Sequence, residues 1–433
     1  MKRLFVTTAA IIALAPACLA QSMFRGDATH SGNYAGEGPR QLHGVKWKFA
    51  TGDRVVSSPV FADGVLYFGS DDGSIYAVEA ETGARKWSYA TAGPVPSSPA
   101  VADGVVYFGS YDGKFYALDA RDGKVIWKFV TGGERRFEAK NLHGMMPKNQ
   151  TMADPWDIFL SSPVVVNKAV YFGSGDGNLY ALDAASGTLR WKFQTGDVVH
   201  ASPAYDRGAL YFGSWDSFFY AVDADTGKEK WRFQGGTDPN VHNQVGFQSS
   251  ATIVNGVVYV GCRDSNVYAL DEATGKEKWR FNNEGSWVIT SPAVLNDKVV
   301  FATSDSSLFH IADAATGKSV LKQPTKAYVF SSPSVAGGVA YYGVLNGILQ
   351  ARDVKSGELL WEFRTDRSRE NPAWALNADA TFNMPLLYPS VWREKPIIAA
   401  EQQFSVGSIF SSPLIVNGVV YVGSTDGFLY ALN

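Results

Sequence analysis

Apolar and polar positions alternate in short runs along almost the whole chain, and the runs return in a fixed order. One unit reads VVSSPVF, GVLYFGS, SIYAVEA and RKWSYA from Val55 to Ala90. Each run is rich in β-branched and aromatic residues and is bounded by turn residues, so each is predicted to be a strand. We label the four strands A, B, C and D. The pair Asp112-Gly113 lies between B and C of the second unit and predicts a tight hairpin in which both turn residues take positive φ.

The unit recurs. Its B–C–D portion begins at Tyr67, Tyr107, Tyr171, Tyr211 and Tyr259, with degraded copies from Phe301 and Tyr341 and a truncated one, YVGSTDGFLYALN, ending the chain. A Ser-Ser-Pro-like element precedes each copy, starting at Ser57, Ser97, Ser161, Ala201, Ser249, Thr290, Ser331 and Ser411. Eight four-stranded units at this period predict an all-β, eight-bladed propeller. The last unit stops at Asn433 without strand D, and Val45-Lys46-Trp47-Lys48-Phe49 matches the missing strand. An N-terminal strand completing the last blade would close the ring and remove its exposed edges. The expected organisation is a leader over 1–20, a lead-in over 21–41 and the propeller over 42–433.

The corner between C and D resembles the PQQ-type propeller repeat, with its signature A-x-D-x-x-T-G-x-x-x-W. The tryptophan of that signature falls at Trp47, Trp87, Trp127, Trp191, Trp231, Trp279 and Trp361, with Leu321 in its place once. The resemblance implies that these rings dock between neighbouring blades, which suits a flat side chain whose N–H needs one partner. The acidic position (Glu79, Asp119, Asp183, Asp223, Asp271, Asp313, Asp353) is expected to tie its turn through side-chain to backbone hydrogen bonds. Two motifs are thereby set aside. Asp-Ala-Arg-Asp-Gly at 119–123 lacks the terminal glutamate and the helices of a calcium loop. Gly-Ser-Tyr-Asp-Gly at 109–113 lacks the Gly-Lys-Ser/Thr and helix of a phosphate loop.

Composition narrows the function. The formal charge is −3, without the basic footprint of nucleic-acid binding. The first twenty residues, MKRLFVTTAAIIALAPACLA, have a charged start, a short apolar run and small residues before Gln21, the pattern of an export signal. That predicts a periplasmic or secreted protein, with lipid anchoring through Cys18 as the alternative. No later segment is a membrane-span candidate. Cleavage would leave Cys262 alone, so no internal disulfide is expected, and Cys262 reads as a small buried residue.

The remaining information lies where the units differ. Strand A runs away from one face and B returns to it, so the D–A connections and B–C tips share that face, here called the top. Enlarged D–A connections run over 133–158 and 366–407, with a small one near 235–246. Five tryptophans outside the frame, Trp156, Trp215, Trp287, Trp374 and Trp392, map to this face, as do His143 and His242. The variable tips add Tyr111 and Arg263, and the positions before Ser-Ser-Pro add His200 and Gln248. These eleven residues are the candidate binding set, and no catalytic group or metal ligand is assigned. The second serine of each Ser-Ser-Pro element is invariant across the units and is expected to be small for packing near the axis. Losing a frame tryptophan such as Trp127 is expected to cost about 3–5 kcal/mol, and losing the loop tryptophan Trp156 much less.

The export signal, the size and the PQQ-type blades together resemble the BamB family of periplasmic scaffolds for outer-membrane protein assembly. That resemblance implies a non-enzymatic platform with a protein partner in the envelope, using the top face; a monomer is expected. A second resemblance, to quinoprotein alcohol and methanol dehydrogenases, implies PQQ with calcium at the top of the ring, although their adjacent cysteine pair has no counterpart here. A carbohydrate-active enzyme using the top aromatics, with a carbohydrate or other small-molecule ligand, is a third alternative; no acid–base pair for it is legible in the sequence.

Overall fold

The computed structural model describes residues 22–236, 245–370, 373–392 and 394–433. The leader with Cys18, and His242, lie outside the described residues. Eight four-stranded antiparallel blades form the ring, seven of them in chain order A-B-C-D. In the first blade these strands are Val60–Ala62, Val65–Gly69, Ser74–Glu79 and Arg85–Ala90. The eighth blade takes three strands from the C-terminus and its D strand, Val45–Ala50, from the N-terminal side. Val45 lies opposite Leu432 and Ala50 opposite Phe428, so the ring is closed by antiparallel pairing of the two ends of the repeat.

The hairpin turns differ from expectation in one respect. At the B–C tip only Gly113 has positive φ; Asp112 does not, and its carboxylate instead accepts from Lys114 N–H at 3.0 Å. The equivalent Asp72 accepts from Ser74 N–H at 2.8 Å and from the Tyr76 hydroxyl at 2.6 Å. An aspartate that ties its own turn has no need of the left-handed region. Paired positive φ values occur in the A–B turns underneath, at Asp63-Gly64 (49° and 81°) and Asp103-Gly104 (49° and 74°).

Each frame tryptophan donates its indole N–H to a backbone carbonyl beyond its own blade, for example Trp87 to Ala120 O at 2.9 Å and Trp127 to Ala184 O at 3.0 Å. A glycine of the next corner underlies the ring: a Cβ at Gly123 would sit 2.7 Å from Trp87. Trp361 meets a blade whose corner is interrupted by the chain ends, and Pro39 of the lead-in supplies the carbonyl at 2.8 Å. At the acidic position, Asp223 accepts from Thr226 N–H at 2.9 Å and from its hydroxyl at 2.7 Å.

Around the axis the second serines do more than stay small. Ser58 N–H donates to Ser98 Oγ, Ser98 to Ser162, Ser162 to Ser202 and Ser202 to Ser250. Ser250 donates to Ser291, Ser291 to Ser332, Ser332 to Ser412, and Ser412 back to Ser58 at 2.8 Å. The result is a closed circle of bonds that satisfies eight buried amides.

The lead-in forms the floor. Carbonyls of Ser22, Ala28, Thr29 and Gly32 accept from Val101, Tyr205, Ile253 and Val335, in four different A strands. Asn33–Tyr34 adds a short parallel strand beside Ser334–Ala336. The buried Arg25 donates to the carbonyls of His30, Pro292 and Pro333, and Phe24 lines the lower channel.

Candidate functional site at the top of the channel

The first long connection crosses the channel mouth. After a small hairpin, Glu138–Lys140 against Thr151–Ala153, the chain turns inward at Asp154. Asp154 accepts from Arg263 at 2.5 Å, lies 3.1 Å from His143 Nε2, and accepts from Trp156 N–H at 2.9 Å. Arg263 also donates to Gln248 Oε1 at 2.9 Å, while Gln248 Nε2 donates to the Trp156 carbonyl at 3.0 Å. The guanidinium lies against two rings, 4.3 Å from the Trp215 centroid and 4.1 Å from that of Trp287. Three residues on, Asp157 pairs with His200 Nδ1 at 2.7 Å and accepts from Phe137 N–H at 2.7 Å. His200 Nε2 lies 3.8 Å from Glu134. Two ion pairs with fully buried side chains thus pin one loop to the fourth and fifth blades.

Their electrostatics follow from burial and pairing. Burial pushes the Asp154 carboxyl up, but Arg263 and then His143 overcome it and hold the group well below the usual carboxylate range. Burial would push His200 down, but Asp157 and then Glu134 hold it up at about 10, so the imidazole is charged at neutral pH. Burial pushes the Cys262 thiol far up, so it is not a thiolate nucleophile.

Of the loop tryptophans, Trp156, Trp215 and Trp287 are buried, at 7%, 2% and 8% exposure. Trp156 stands edge-on to Phe330 and Phe404, both at 5.3 Å. Trp215 stacks on Phe137 at 4.4 Å. Tyr111 is also interior, with a hydroxyl that lacks a hydrogen bond of normal geometry. It shares a cavity of about 290 Å³ with Arg54, Asp71, Arg136 and Phe404. Burial pushes the Asp71 carboxyl up to about 7, against the pull of Arg54. A second cavity of about 290 Å³ is lined by Trp156, Trp287, Tyr328, Tyr388 and Asp305.

Trp374 and Trp392 are different, being 41% and 53% exposed. They belong to the last long connection, which holds three helices: α1, Asp366–Arg369; α2, Met384–Leu387; and α3, Glu394–Phe404. α3 docks by Ala399, Ala400, Gln403 and Phe404, one helical face. Leu386, Val391 and Ile398 of the same connection face solvent. The two long connections meet where Met146 N–H donates to the Val391 carbonyl at 2.9 Å. Sequence reasoning placed Arg263, His200 and Gln248 at the top; it saw Asp154 and Asp157 only as available loop carboxylates without pairing them, and it left Asp71, Arg136 and Asp305 outside the candidate set. The signal available was chemical: a Trp-Arg-Trp set at the variable top positions of three successive blades, facing a loop that carries two aspartates.

PQQ, a flat tricarboxylate, does not fit the mouth. The space left on the axis is about 40 Å³, room for a water or two. The buried cations of the mouth, His200 and Arg263, are already paired with Asp157 and Asp154. Among the described residues no group of three or more His, Cys, Asp or Glu side chains could hold a metal.

Comparison with known proteins gives one family model and a shared fold. The family model described as "Outer membrane protein assembly factor BamB" matches residues 40–153, 148–280 and 263–382. A search of curated proteins found no match. Among solved structures, BamB from Moraxella catarrhalis is similar with a TM-score of 0.64 at 15% identity, covering 90% of this chain and 97% of that one. A europium-containing methanol dehydrogenase gives 0.68 at 16%, covering 96% and 98%. The quinohemoprotein alcohol dehydrogenase from Comamonas testosteroni gives 0.68 at 16%, covering 95% and 80%. At these identities the solved structures share the fold.

Proposed function

Because the chain belongs to the outer membrane protein assembly factor BamB family, we propose that it is an exported, non-enzymatic binding scaffold of the cell envelope whose partner is a protein met on the top face. The observation that carries this reading is the split among the top aromatics. The channel mouth is filled by the chain's own side chains, whereas Trp374, Leu386, Val391, Trp392 and Ile398 are displayed to solvent on one connection. Large apolar side chains left outside a complete core mark contact surfaces. Among the described residues no helix is long and apolar enough to cross a membrane.

The test is site-specific photo-crosslinking in the periplasm. A crosslinkable residue at position 392 or 374 should capture an envelope protein in a discrete adduct. The same residue at Lys124, on the underside, should not. No adduct from the top positions, or equal adducts from both faces, would overturn the reading. Addition of PQQ with calcium to the purified protein should leave its melting temperature unchanged; a rise would favour the quinoprotein alternative instead.

A further inference from the structure

The second cavity has a chemistry of its own. It opens between the first connection (Trp156), the sixth blade (Trp287, Asp305), the seventh (Tyr328) and the last connection (Met384, Tyr388). Its rings do not stack flat on one another: Trp156 and Tyr328 stand at 72° with centroids 6.4 Å apart. Rings set at steep angles around a space form a box, and their π faces are electronegative. One carboxylate completes it. Asp305 accepts a hydrogen bond from the Ser304 hydroxyl at 2.9 Å and makes no ion pair among the described residues. Its charge reaches both tyrosines, whose hydroxyls are pushed up first by burial and then by Asp305.

We propose that this cavity binds a compact alkylammonium cation, held by the faces of Trp156, Trp287, Tyr328 and Tyr388 with Asp305 as its counter-charge. The one basic side chain in the lining, His143, is turned to Asp154 at 3.1 Å, so an anion would be left to face Asp305. A neutral apolar ligand would make no use of that carboxylate, which stands exposed at the rim. A metal ion needs several oxygen or nitrogen ligands, and among the described residues no such group exists. An organic cation uses both halves of the box. The protein already makes the same contact next door, where the Arg263 guanidinium lies 4.1 Å from the Trp287 centroid. A volume of about 290 Å³ suits a small head group or a single side chain. The ammonium could arrive as a free small molecule or as a methylated or plain lysine of a partner chain; the chemistry of capture is the same.

The test is a calorimetric titration of the purified exported protein with choline, with its uncharged isostere 3,3-dimethylbutan-1-ol, and with a short peptide carrying trimethyllysine. Choline should bind saturably at one site, and the isostere about tenfold more weakly. Asp305→Asn should weaken choline by about five- to tenfold. Tyr388→Leu should do the same, and it guards against an effect peculiar to the rim. A peptide that binds tighter than choline assigns the site to a partner's side chain; a peptide that binds more weakly assigns it to a free ammonium compound. Equal binding of choline and the isostere would overturn the proposal, as would indifference to both substitutions or the absence of saturable choline binding. Trp374 and Trp392 do not line the cavity, so failure here leaves the scaffold reading untouched, and the reverse holds.

Discussion

The two long connections begin alike and end differently. Both join strand D of one blade to strand A of the next on the same face, and both carry tryptophans. The first sends Asp154, Trp156 and Asp157 into the mouth, where Arg263 and His200 receive the charges. The last turns Ala399, Ala400 and Phe404 inward and leaves Trp374 and Trp392 outside. The difference is one of commitment. A loop whose buried carboxylates have one set of partners is fixed in place, because moving it would strand charges away from water. A loop held by apolar packing on one side, with ion pairs only at partly exposed carboxylates (Asp366 to Lys48, Glu401 to Arg54), keeps its other side available. An insertion in a propeller is therefore not a binding surface by virtue of its length; the destination of its charges decides.

The sharpest way to break this contrast is to remove the receiving charge. Arg263→Ala should cost about 3–5 kcal/mol of stability, because it leaves Asp154 buried without its cation. Urea denaturation of wild type and variant measures it. A loss under half a kcal/mol would mean that the first connection is no more committed than the last. Next comes Trp156→Ala. With Phe330 and Phe404 closing around the ring, the loss should be about 3 kcal/mol, close to that for the frame residue Trp127. The sequence alone led to a much smaller value, and the burial of Trp156 is the reason to revise it.

That revision shows what the sequence could carry. The blades were legible because their pattern repeats: strand periods, Asp-Gly corners and tryptophans recur at fixed intervals, so each copy checks the others. The closing strand was legible because Trp47 and its neighbours supply what the last unit lacks. The mouth was not. Asp154 and Arg263 are 109 residues apart and occur once, so no second copy reveals the pairing. Arg263 occupies the same tip column as Thr425 and Gly175, which reads as solvent-facing until the loop above it is placed. α3 hid in an all-β reading, although Ala399, Ala400, Gln403 and Phe404 recur at the spacing of one helical face. The lead-in gave no hint that Arg25 would hold three carbonyls of the floor.

A gentler test uses pH. His200 is held near 10 by Asp157 and Glu134, above its unfolded value of about 6.5. A group raised in this way contributes its full stability below about pH 6.5 and loses it as pH climbs toward 10. The folded protein should therefore lose about 1–2 kcal/mol between pH 6 and pH 8. His200→Gln should flatten that slope while lowering stability at pH 6. An unchanged slope in the variant would show that the Asp157 pair does not anchor the first connection.

The smallest effect on stability should come from the exposed side of the last connection, and that smallness is the point. Trp374→Ala and Trp392→Ala remove side chains that are about half in water, so each should shift the unfolding free energy by no more than about half a kcal/mol. If the scaffold reading is right, the same two variants should lose the envelope adduct formed from neighbouring crosslinker positions such as Val391 or Leu386. Function and stability would then separate within one face of one molecule: Trp156 needed for the fold, Trp392 needed for the partner. A costly Trp392→Ala would move that residue into the frame and leave the last connection as closed as the first.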